Sequence, residues 1–290
     1  MQIDASTHCW GNSVTLPLSG TVHAQVSWGD GSSSSVNKPH GATHRYKTPG
    51  TYTASVSGTV THFGSDSIFE TMCTKSVSQW GQTGLTSLSH AFTNDAELTR
   101  VPSSLPSSVT DLSFAFDRAT SFNQDLSAWN TSKVTDMSWT FADARSFNQP
   151  LNSWNTTKVT TMSGMFANDP VFNQPLGSWN TAKVTNMSGI FEGDSSFNQP
   201  LGSWSLASMA PNPGRSPFVS MALMVTETKL SSANYAATLA AWASRPKPSG
   251  ISFDAMRTKY PASAAAARSV LVNTYHWVIH DGGAAKPSAS

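Results

Sequence analysis

Charge is scarce in this chain. Only 12% of its 290 residues are Asp, Glu, Lys or Arg, and 18 basic against 17 acidic side chains leave a formal charge of +1. That balance lacks the broad electrostatic footprint of a nucleic-acid binder, so no nucleic-acid partner is expected. Long apolar runs are also missing: none reaches the ~20 residues of a membrane span, so no membrane insertion is expected. The opening "MQIDASTHCWGNSV" has neither a basic n-region nor an apolar h-region, and no signal peptide is read there. Such an opening fits a chain trimmed to its mature form, or one made without a signal and released by lysis.

Catalytic signatures are equally sparse. There is no G-x-S-x-G, Walker loop or Rossmann glycine pattern, and of the eight histidines His40 and His44, in a loop, and His276 and His280 are each four apart without an HExxH motif. No enzymatic activity and no cofactor are expected, although carboxylates can meet in space without a sequence signature. The two cysteines, Cys9 and Cys73, are too few for a metal site. They either close a long loop, worth about 3 to 4 kcal/mol, or are two unrelated buried thiols, because sequence does not place their Cα atoms within bonding range.

Repetition is what the chain has in abundance. "SFNQPLNSWNTTKVTTMSGMF" (146–166) is followed by a near copy, "VFNQPLGSWNTAKVTNMSGIF", from Val171. Phe122, Phe147, Phe172 and Phe197 fall 25 residues apart, as do Trp129, Trp154, Trp179 and Trp204. Val134, Val159 and Val184 are each followed by Met137, Met162 and Met187, then by Phe141, Phe166 and Phe191. Worn copies reach back to "LTSLSHAF" (85–92), and a poorer one ends near Phe218. Units this small bury an apolar face only against their neighbours, so they stack and fixed positions become columns. The β-branched "NTTKVT" predicts a short strand and "MSGMFAND" a short helix or 3₁₀ turn in each coil; the spacing of Val, Met and Phe also admits one longer helix.

The fixed Asn123, Asn148, Asn173 and Asn198 recur at a turn, where an amide can bond its own coil and the next, so they are expected to form a structural ladder. Lys133, Lys158 and Lys183 recur just before the fixed Val, flanked by Asp136, Thr161 and Asn186. They read either as a solvated edge that discourages aggregation or as an anion-binding stripe for an acidic glycan, a polymer or a neighbouring subunit. Before the repeats, "VSWGDGSSSSV" (26–36) and "HRYKTPGTYTASVSG" (44–58) are alternating runs broken by Gly-Asp-Gly and Pro-Gly, the signature of a small antiparallel β-sandwich. Asp30 is a lone acid in its turn, and Ca²⁺ needs six to eight oxygens, so calcium is not expected there.

The units "FNQ(D/P)L..WNT.KVT.MS..F" resemble the BspA-like leucine-rich repeat family, also called the DUF285 repeat, of bacterial, protist and viral surface proteins. "WGDG" with "HRYKTPGTYTASVSG" resembles the PKD-like, immunoglobulin-type domain that commonly precedes such repeats. "LSSANYAATLAAWAS" (230–244) and "YPASAAAARSVLVNTYHWVIHDGG" (260–283) resemble the family's closing segment. The resemblance implies a mainly β fold with short helices: a PKD-like sandwich over 1–64, a leucine-rich-repeat-like solenoid of 25-residue units over 65–222, an α/β cap over 223–283 and a flexible tail over 284–290. It implies display or adhesion without shared enzymatic activity. Two roles follow as expectations: a surface-displayed scaffold that binds a protein or glycan on a cell surface, or a structural or decoration subunit contacting neighbouring virion or filament subunits. Either places the protein outside the cell or on a cell envelope or virion.

Overall fold

The structure, a computed structural model, describes residues 1–6, 11–65, 73–211 and 220–286. It is mainly β with few, short helices. Seven strands open the chain: β1 (Gln2–Ser6), β2 (Ser13–Leu16), β3 (Leu18–Ser27), β4 (Ser33–Val36), β5 (Ala42–Arg45), β6 (Thr51–Phe63) and β7 (Thr74–Gln79). Five form an antiparallel sheet in the order β4-β3-β6-β1-β7, and β2 pairs with β5 apart from it. The alternation of the sequence sets the faces: in β3, Val22, Ala24 and Val26 are buried while the residues between them are exposed. The Gly-Asp-Gly turn joins β3 to β4. Gly29 has φ +81°, and a Cβ there would lie 2.6 Å from the Thr53 carbonyl oxygen, so both the turn and the close approach require glycine.

This sheet passes directly into the repeats. β7 lies beyond residue 64, yet it pairs with β1, and Ser76 bridges Arg100 in parallel. The end of β6 does the same, with His62 bridging Ser87. From there a single column of parallel bridges runs Ser87, Asp111, Asp136, Thr161, Asn186, Ser220. It continues from Met221 to Phe253 in β8 (Ser252–Asp254), and β8 pairs in parallel with β9 (Val278–His280).

Within the repeats the predicted strand and helix are both absent from the described residues. "NTTKVT" is a turn followed by one bridging residue, and "MSGMFAND" is a run of successive turns. The hydrogen bonds explain why the spacing misleads. Gly164, Phe166 and Asn168 donate their N–H groups to Ser188, Ile190 and Glu192 of the next coil, while Met165, Ala167 and Asp169 donate to carbonyls three residues back. Alternate amides therefore serve the neighbour and the coil itself. A path of this kind needs left-handed residues four apart: φ is near +57° at Phe114 and Arg118, Trp139 and Asp143, Gly164 and Asn168. The helical spacing of Met and Phe survives because each turn returns the chain to the same face.

The apolar columns then stack. Phe116, Phe141, Phe166 and Phe191 lie 5.3 to 5.8 Å apart by ring centroid, and Trp129 sits 6.3 Å from Trp154. Each indole N–H is satisfied from the coil before: Trp154, Trp179 and Trp204 donate to Leu126, Leu151 and Leu176. At the far end, α1 (Ser232–Ala243) buries Tyr235, Leu239 and Trp242 against the last coils. Its N-cap is Ser231, whose hydroxyl accepts the Asn234 N–H at 3.2 Å. A short helix α2 (Ala265–Ser269) precedes β9.

The proline-rich "SMAPNPGRSPF" is described only to residue 211; its remainder lies outside the described residues, as does Cys9. Cys73 is disulfide-bonded.

Candidate functional site

The ladder side chains are engaged within the stack. Asn123 Oδ1 accepts the N–H of Asn148, Asn148 Oδ1 that of Asn173, and Asn173 Oδ1 that of Asn198. The glutamine of each "FNQ" adds a second bond, with Gln174 Nε2 donating to Asn148 Oδ1 at 2.9 Å and Gln199 Nε2 to Asn173 Oδ1 at 3.0 Å. The column ends on α1: Ser231 N–H and Asn234 Nδ2 donate to Asn198 Oδ1, so the helix start takes the place of the next "NQ". A threonine column was not read from the sequence. Thr135, Thr160 and Thr185 each donate both N–H and hydroxyl to the carbonyl of the preceding threonine. Its only sequence signal is the constant "VT".

Lys133, Lys158 and Lys183 are exposed in successive coils, and none is in an ion pair among the described residues. Their flanking residues are half-buried instead. Asp136 accepts the N–H and hydroxyl of Ser138, and Asn186 accepts the N–H of Ser188, which closes the local turn. The lysine column thus stands at the surface while Asp136, Thr161 and Asn186 are occupied in the bridge column.

Elsewhere, Asp30 Oδ1 accepts from Ser32, and Oδ2 lies 2.8 Å from His44 Nε2. The Ser32 and His44 hydrogen bonds hold its carboxyl well below the usual range. Among the described residues, no group of three or more His, Cys, Asp or Glu side chains is placed to hold a metal, and no helix is long and apolar enough to cross a membrane.

Three further features carry chemistry. Asp169 and Asp194 occupy the same position in consecutive coils, wholly buried; burial, reinforced at Asp169 by the Asp194 charge, pushes their carboxyls to about 9 and about 8. A recess of about 310 Å³ lies between two coils, lined by Phe114, Asp117, Arg118, Trp139, Ala142 and Asp143. A wider trough of about 590 Å³, lined by Ser103, Ser104, Ser107, Gln79 and Gln82 among others, opens where the repeat lacks its tryptophan.

Fold and site together define a stack of short repeats whose fixed residues are spent on coil-to-coil bonding. The family described as "Mycoplasma protein of unknown function, DUF285" matches residues 63–168 and 151–212. Those residues are more than half of the chain, and the protein belongs to this family. No curated protein and no solved structure matches it.

Proposed function

We propose that the protein is a non-catalytic scaffold for binding or adhesion, displayed outside the cell. In this reading the repeats are a leucine-rich-repeat-like solenoid, and the two N-terminal sheets are a PKD-like, immunoglobulin-type sandwich that covers one end. The observation that carries it is the division of labour among the fixed positions. Asn, Gln, Thr and Trp are bonded inward from coil to coil, whereas Lys133, Lys158 and Lys183 repeat at the surface. The disulfide at Cys73 fits an oxidising location, and the low charge fits a surface rich in Ser, Thr and Asn.

The lysine column is the proposed contact for an anionic partner on a cell or polymer surface. Exposed charges are screened over ~8 Å at physiological ionic strength, so attachment through it weakens with salt. Replacing all three lysines with Gln should leave the circular dichroism and melting temperature unchanged and reduce attachment to cells at low salt. Unchanged attachment at low salt would eliminate the column as the contact.

A further inference from the structure

The repeat provides an internal standard for what each position needs structurally. By the hydrogen-bond register of the ladder, Phe114 and Trp139 are equivalent to His90, Gly164, Gly189 and Leu223, and all six are left-handed. Glycine meets that requirement without strain, whereas an L-residue there is disfavoured by roughly 1 to 2 kcal/mol. Likewise Asp117 is equivalent to Thr93, Ala142, Ala167, Glu192 and Thr226, and Arg118 and Asp143 to Asn94, Asn168, Gly193 and Glu227. The coils of Phe114 and Trp139 carry bulky or charged residues at several of these positions at once. In those two coils these positions line one 310 Å³ recess.

Its chemistry is mixed. Phe114 and Trp139 are half-buried, nearly parallel rings with centroids 6.0 Å apart, too close to admit another ring between them, so their edges face outward. The Trp139 ring lies over Gly164, where a Cβ would come within 2.5 Å of it. Asp117 is 6% exposed; no hydrogen bond from a described residue reaches its carboxylate, whose oxygens touch solvent in the recess. Arg118 is exposed, and Asp143 is held by Arg145 at 3.2 Å. A buried carboxylate without a partner is disfavoured unless something supplies the missing bonds. Two carboxylates disfavour an anion and the guanidinium disfavours a bare cation, so the complement is a neutral group that both donates and accepts hydrogen bonds and has an apolar side for van der Waals contact with the ring edges.

We propose that this recess is a subsite for one sugar residue of a neutral saccharide, with Asp117 accepting from its hydroxyls, Arg118 donating to them, and Phe114 and Trp139 forming the apolar wall. The inference rests on the binding-scaffold reading and adds a ligand class and a location distinct from the lysine column. One sugar in a site of this size binds with Kd of order 1 mM. Burial, with the Asp143 charge assisting and Arg118 opposing, raises the Asp117 carboxyl to about 6, so affinity should fall as the pH drops from 7 to 5.

The test is nitrogen-15 NMR of the whole chain titrated with maltotriose, chitotriose and mannotriose. The Trp139 indole resonance is assigned by its loss in Trp139→Gly. At least one trisaccharide should shift it saturably, and Asp117→Ala and Arg118→Asn, residues that equivalent coils already carry, should each weaken binding about tenfold or more. The triple lysine variant should bind sugar like the parent. No saturable shift with any of the three, a shift that survives both substitutions, or binding only to trigalacturonate would overturn the proposal. Cell attachment by the parent without sugar binding would refute this subsite alone and leave the scaffold reading standing.

Discussion

Asp169 and Asp194 make alkaline pH the weak side of this fold. Each uses Oδ1 to close a turn, Asp169 with the Val171 N–H at 3.4 Å and Asp194 with the N–H groups of Ser196 and Phe197 at 3.2 and 3.1 Å. Each leaves Oδ2 buried without a partner. With folded values near 9 and 8 against about 3.9 in the unfolded chain, the native state keeps protons that the unfolded state releases. Stability therefore falls as pH rises between those limits, by up to about 1.4 kcal/mol per pH unit for each group. From pH 5 to 7 the pair removes up to about 5 kcal/mol. Asp169→Asn with Asp194→Asn keeps the turn acceptors and removes both titrations. The double variant should melt several degrees above the parent at pH 8, at about 2 to 4 °C per kcal/mol. Thermal circular dichroism at half-unit steps from pH 5 to 9 measures it. Asp95, raised by the same burial, should leave a residual slope in the double variant. A parent whose melting temperature is flat or rises from pH 5 to 8 would refute the reasoning, and so would a double variant that keeps the full slope.

Three other outcomes are expected. Trp179→Ala removes a buried ring stacked 6.2 Å from Trp204 and should destabilise the stack by about 3 to 5 kcal/mol; a variant that melts like the parent would place the ring outside the cooperative core. Asn173→Ala leaves the Asn198 N–H without its acceptor and Gln199 Nε2 with only the residue-173 carbonyl and should cost about 1 to 3 kcal/mol by denaturant titration; a loss confined to a few tenths would mean that water replaces the amide. Deleting residues 223–290 uncovers the final coil and its strand edge, so the truncated chain should aggregate in light scattering; a monomer with unchanged circular dichroism would show that α1 and β8 do not act as a cap.

The family, the period and the columns were legible because identical residues 25 positions apart must occupy identical places. Local conformation was not. Val134, Met137 and Phe141 have helical spacing, but a run of turns returns side chains to one face just as a helix does, and the positive φ at Trp139 leaves no composition signal. The glycine at 164 and 189 was the available hint. β7 was missed because its partner, β1, lies some 70 residues away and nothing local marks the pairing. Asp169, in "ANDP", reads as an ordinary polar turn residue; its burial comes from coils on either side. The recess residues were invisible for a related reason: they stand out only once the ladder shows which residues of other coils they replace.

The coil-to-coil ladder also governs how such a chain can change length. Asn173 receives from Asn198 what Asn148 receives from Asn173, so each coil offers its successor the same acceptors it takes up on its predecessor. Duplicating or excising a whole 25-residue unit preserves every donor–acceptor match and moves the two ends by one rung, about 4.8 Å. A shorter insertion within the bonded run would put donors opposite donors. The ends do not share this freedom, since Asn234 of α1 completes the last amide pair and Arg100 receives the edge of β7. Recombination between units can therefore vary the reach of the protein while its terminal segments stay constant.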